Sequence, residues 1–254
     1  MMSQDVKLEI CVDSLELAQA AVRGGADRIE LCGPLHDGGI TPSGGLAAAA
    51  RNLIDLPIAM LVRPRTGSFT VSNTDFEVMR QDVLYARKIG IDHVVLGILR
   101  DDRTVDVERT RELVELAQPM QVTFHRAFDV TPNLNSALKD VVEAGAARIL
   151  TSGAKPSAVL GAPVVGELIK SAAGRIGLLL CGGISAATVR QCLQRSGAHE
   201  VHAALRNSVR IRHATGTIPA ETFEHFAECV AKLKEKIRPD NSSSQTQTES
   251  YVIR

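Results

Sequence analysis

Gly25-Ala26-Asp27-Arg28-Ile29 ends one amphipathic segment and opens an apolar one. The pattern returns as Gly90-Ile91-Asp92-His93-Val94, Gly145-Ala146-Ala147-Arg148-Ile149 and Gly197-Ala198-His199-Glu200-Val201. Each copy puts a helix-terminating glycine directly before a short apolar run, the order expected where a helix stops and a strand begins. Working outward from these junctions, strands are expected at residues 8–12, 28–32, 57–62, 93–99, 121–124, 147–151, 176–180 and 200–204, so that each repeat precedes an even-numbered strand. Helices fill the gaps. Asp13 with Glu16 forms a capping box, Gly45 to Asn52 is alanine-rich, Thr74 with Glu77 starts another helix, and 106–117 stops before Pro119. Thr131-Pro132 opens the next, 185–196 follows the seventh strand, and a last helix begins near Pro219.

Strand, crossover helix and parallel strand repeated without a break define an α/β protein, a single-domain (β/α)8 TIM barrel. A doubly wound open sheet usually stops near five or six strands. The barrel domain is expected over residues 1–238, and 239–254, a polar stretch without apolar periodicity, as a disordered C-terminal tail.

The composition is that of an ordinary globular chain, 44% hydrophobic and 23% charged, and no apolar run nears the roughly 18 residues of a membrane span. With 29 basic against 29 acidic residues, no tryptophan and two tyrosines, it lacks the cationic and aromatic surface of a nucleic-acid binder. The start carries no apolar signal segment, so a cytoplasmic protein with reduced thiols is expected. Its five cysteines include no Cys-x-x-Cys pair, so they are core residues or ligands rather than a disulfide framework.

After the second strand, Gly33, Pro34, Asp37, Gly38, Gly39 and Pro42 form a loop that can approach a ligand closely, and Ser43 can cap the following helix. Side-chain parity places the polar groups. Leu8, Ile10, Val12, Ile29 and Leu31 are apolar and face the helices, which leaves Glu9, Cys11, Glu30 and Cys32 in the lumen. The same alternation turns Arg63, Thr123, His125, Ser152 and His202 inward. A structural reading competes: Glu9 and Glu30 could pair with Arg63 and His202 in a buried network, and lone cysteines are more often small core residues than ligands. Cys181, Cys192, Cys229 and His225 belong to that bland class, and Arg206, Arg210 and Arg212 to a solvated loop.

The segments Leu-Glu-Ile-Cys-Val-Asp, Gly-Ala-Asp-Arg-Ile-Glu-Leu-Cys, Gly-Gly-Ile-Thr-Pro-Ser, Arg-Pro-Arg-Thr-Gly, Thr-Phe-His-Arg-Ala-Phe-Asp, Leu-Thr-Ser-Gly and Glu-Val-His resemble, in order, the signatures of the CutC family. The resemblance covers essentially the whole barrel. It implies a TIM barrel that forms homo-oligomers and binds Cu(I) through two cysteines, which map onto Cys11 and Cys32. The chain departs from the pattern at Ala203-Ala204, where a serine often follows Glu-Val-His, and at Leu180-Cys181-Gly182-Gly183, where a further glycine is common.

Two functions follow. Soft thiolates favour Cu(I), making Cys11 and Cys32 a metal site for copper homeostasis. Alternatively the barrel is an enzyme acting on a small anionic metabolite, with Arg63, Ser152, Gly182, Gly183 and His202 binding substrate and Glu9, Glu30 or His125 moving a proton. No motif for a nucleotide cofactor occurs.

Overall fold

The computed structural model describes residues 5–35, 38–205 and 220–238. Eight parallel strands close in sequence order: β1 Lys7–Val12, β2 Arg28–Leu31, β3 Ile58–Leu61, β4 His93–Leu96, β5 Gln121–Phe124, β6 Arg148–Thr151, β7 Gly177–Leu180 and β8 Glu200–Ala203. Around them run α1 Leu15–Arg23, α2 Gly44–Leu53, α3 Asn73–Lys88, α4 Val107–Ala117, α5 Leu134–Glu143, α6 Ala158–Ala172, α7 Val189–Ser196 and α8 Ala220–Ile237. The expected alternation and closure are both present. Asp37, Arg206, Arg210, Arg212, Pro219 and the 239–254 tail lie outside the described residues.

The four repeat glycines explain how the elements are joined. Gly25, Gly90, Gly145 and Gly197 all have positive φ, between 66° and 87°. An L side chain there costs about 1–2 kcal/mol, so glycine lets the chain reverse from helix into strand without strain.

Several helix starts differ from the sequence expectation. Ser14, not Asp13, caps α1 by accepting from the Leu17 N–H, while Asp13 accepts from the Leu35 N–H (3.0 Å) and ties down the glycine-rich loop. Ser72 caps α3 in place of Thr74, and Asn133 caps α5 two residues after Thr131. Residues 185–188 form a turn in which Thr188 Oγ1 accepts from Ser185 N–H, so α7 begins later than expected. In each case more than one cap-competent residue was adjacent, and local sequence does not rank them. Ser43 caps α2 as expected.

The main core lies between strands and helices. Leu8, Ile10, Ile29, Leu31, Ile58, Met60 and Leu96 are buried there against small helix faces such as Leu17, Ala18, Ala20 and Ala21 of α1. A second, smaller cluster of Cys11, Cys32, Ala59, Leu61 and Val95 fills the lumen. The opposite lumen wall is Leu150, Leu179 and Cys181. These two sets are the inward parity of their strands, which puts Glu9, Arg28, Glu30, Arg148 and His202 in the same space. Among the described residues no helix is long and apolar enough to cross a membrane.

Candidate functional site

Strand register assembles the lumen network. Glu9 is the Cα partner of Arg28 on β2 and of His202 on β8, and Cys11 is the partner of Glu30. Arg28 Nε donates to Glu9 Oε2 at 2.5 Å and its Nη2 to Glu200 at 2.6 Å. His202 Nδ1 lies 2.7 Å from Glu9 Oε1 and 3.1 Å from Glu30 Oε2. Deeper on the other side, Arg148 donates to Thr123 and Gln121 and meets His93 Nδ1 at 2.9 Å. The N-terminal half of the lumen is thus closed by two hydrogen-bonded arginines.

The two buried glutamates differ because their partners differ. Burial alone would raise both carboxyls. For Glu9 the Arg28 guanidinium and His202 overcome it and hold the group down at about 2. For Glu30 burial wins and, with Glu9 nearby, pushes the carboxyl up to about 7 despite His202. The two glutamates in turn raise His202, against the burial that opposes its charge. Glu9 is therefore a fixed anion and Glu30 a group that exchanges a proton near neutrality.

Above this layer sit the thiols. Cys11 Sγ and Cys32 Sγ are 3.6 Å apart and buried, and Cys32 also donates to the Val12 carbonyl at 3.4 Å. The bond to Cys32, burial and the adjacent glutamates keep the Cys11 thiol protonated well above the usual thiol range. The ligand atoms of Cys11, Glu30 and His202 all lie within 4.8 Å of one another. A cleft of about 130 Å³ opens over Cys11, Cys32, Glu30 and His202, walled by Arg63, His125 and the Gly38-Gly39 edge of the glycine-rich loop.

The comparisons with known proteins bear on this geometry. The model of the CutC family matches residues 6–207. The chain belongs to the CutC family. A CutC family protein of Xanthomonas axonopodis is 43% identical over 202 residues, covering 80% of this chain and 84% of that protein. The human copper homeostasis protein cutC homolog is 41% identical over 201 residues, 79% of this chain and 74% of its own length. A CutC crystal structure from Streptococcus agalactiae superposes with a TM-score of 0.74 at 28% identity, covering 78% of this chain and 97% of that one. A Pyrococcus furiosus thiamine phosphate pyrophosphorylase, at 16% identity and a TM-score of 0.59, shares the fold alone.

Arg63 does not meet a lumen glutamate in this CutC-family chain. It lies two residues beyond β3, donates to the Gly39 and Gly67 carbonyls at 3.1 and 2.9 Å, and stacks 5.0 Å over Phe69. The reason is geometric: Arg28, one layer lower and in register with Glu9, already neutralises that carboxylate. The parity rule that placed Glu30 also placed Arg28, so its signal was present in the sequence. Ser152 is fully buried with its hydroxyl held by Asp129, the Lys155 carbonyl and Arg126, so it supports the wall rather than lining the cleft. His125 follows β5, accepts from the Ala127 N–H at Nδ1, and is held neutral down to about 3 by burial and by Arg63. His125 is therefore neutral near pH 7. Gly182 and Gly183 line a neighbouring space with His202. Sequence reasoning passed over Arg126 and Asp129, because they sit in the 3-10 turn Arg126–Val130, where strand parity no longer applies.

Proposed function

We propose that this protein takes part in copper homeostasis by binding Cu(I) as cargo between Cys11 and Cys32. The observation that carries the reading is the 3.6 Å approach of two buried thiols on neighbouring strands at the open end of the lumen. Two soft sulfur donors suit Cu(I), and the donor set therefore fits the ion. Loading requires the Cys11 proton to leave, and Glu30, the register partner of Cys11 with its carboxylate within 4.8 Å of the thiol, is the nearby base to receive it. The fixed Glu9 anion offsets part of the incoming charge. A reducing cytoplasm would keep the thiols competent, and the family resemblance extends to a homo-oligomer.

The test is competition against a Cu(I) chelator without oxygen. Cys11→Ser and Cys32→Ser should each weaken Cu(I) by 100-fold or more, on the order of 3 kcal/mol. Wild-type affinity in the double serine variant overturns the site. The Cys11, Glu30 and His202 atoms form a borderline donor set that also suits Zn(II). His202→Ala separates the two: it spares Cu(I) held by the thiols and abolishes Zn(II).

A further inference from the structure

Beyond the thiol site, a wider space of about 520 Å³ opens over the ends of β7 and β8, lined by Arg126, Cys181, Gly182, Gly183, Ser185 and His202. Copper binding has no use for it. We propose that this space binds a phosphoryl group, free or carried by a small molecule, with the Arg126 guanidinium and the Gly182-Gly183 backbone as its cradle.

Arg126 is held for such a role before any ligand arrives. Its Nε donates to Asp129 Oδ2 at 2.9 Å and its Nη2 to Ser152 Oγ at 2.9 Å. Asp129 is fixed in turn by the Thr151 hydroxyl and by the Ser152 and Ala154 N–H groups. One edge of the guanidinium is therefore anchored, while its side chain stays 48% exposed and borders both the thiol cleft and the outer space. A guanidinium has five donors, so the anchored fork still offers N–H groups to an oxyanion.

The floor of the space is backbone. Gly182 and Gly183 have φ of 107° and 74°. At Gly182 packing explains the missing side chain, because a Cβ would come within 3.0 Å of Ser152 Cβ and 3.2 Å of Ala158 N. At Gly183 it does not: a Cβ there would meet no atom within 4 Å. The left-handed turn instead leaves bare backbone facing open space. Among the described residues neither the Gly182 nor the Gly183 N–H has an acceptor. Successive free N–H groups in such a turn form an anion-binding concavity, and the loops after strands 7 and 8 are where barrels commonly hold phosphate.

Isothermal titration with inorganic phosphate and with glycerol 3-phosphate, at fixed ionic strength, tests the proposal. Both should bind at millimolar or lower concentration, and Arg126→Gln should weaken each by about tenfold or more. A larger affinity for the ester assigns a phosphorylated small molecule, and equal affinities assign free phosphate; either supports the site. No binding, or equal binding by wild type and Arg126→Gln, overturns it. Because Arg126 also braces Ser152, amide NMR of the wild type gives a second reading. The Gly182 and Gly183 signals should move on phosphate addition, and their staying put refutes the cradle. The Cys11→Ser/Cys32→Ser variant should retain phosphate binding, so failure of the copper reading and of this one are distinguishable.

Discussion

Replacing Arg28 by methionine tests whether the lumen network is a balanced charge system. Arg28 is the main counter-charge of Glu9, and the carboxyl's fall from 4.5 to about 2 reflects that partnership. At ~1.4 kcal/mol per tenfold in protonation equilibrium, the fall corresponds to about 3 kcal/mol. Breaking a buried pair by removing one partner typically costs about 3–5 kcal/mol, which agrees. The sign follows from the lowered carboxyl: its contribution is full above about pH 4.5, where the unfolded chain has ionised, and is lost as pH falls through about 2. In Arg28→Met Glu9 keeps only His202 as a partner against burial, which raises its affinity for a proton. Urea unfolding of metal-free protein should therefore show Arg28→Met about 3 kcal/mol less stable at pH 7, with the gap narrowing as pH falls toward 4. Glu9→Gln added to Arg28→Met should recover most of the loss, because it removes the stranded charge. A loss under about 1 kcal/mol at pH 7, or a gap that does not change with pH, would refute the reasoning.

Glu30 should act in the opposite sense. Its carboxyl is raised to about 7, so the folded state keeps a proton that the unfolded chain releases above about 4.5, and stability is lost as pH rises through that window. Metal-free Glu30→Gln should gain on wild type over the same range, and parallel pH profiles would contradict this. His125, held down at about 3, should remain neutral at pH 5 by NMR; it then withholds stability as pH falls below about 6.5, where the unfolded chain takes the proton. Gly97→Ala should cost about 1–3 kcal/mol and displace the His125 ring, since a Cβ there would lie 2.5 Å from Nδ1; an unmoved His125 resonance would show the ring has room. Gly90→Ala meets no neighbour and should cost only the left-handed backbone term, about 1–2 kcal/mol by thermal unfolding.

The barrel was legible in the amino-acid sequence because its signals are local. The glycine that ends a helix and the apolar alternation of a strand each act over a few residues, and eight rounds of them leave one closed topology. Parity then put Glu9, Cys11, Glu30, Cys32 and His202 in the lumen, since a strand has only two faces. What parity cannot supply is register and reach. That Arg28 rather than Arg63 neutralises Glu9 depends on which residues lie level across β1 and β2. That Glu30 stays near neutrality while Glu9 is fully ionised depends on where one guanidinium lies within a few ångströms. Arg126 and Asp129 were hidden for a related reason: in a 3-10 turn no two-faced pattern marks direction, and only packing against Ser152 aims them. Periodic backbone geometry is written along the chain, whereas electrostatics falls off with distance in space, and distances between strands exist only once the barrel has closed.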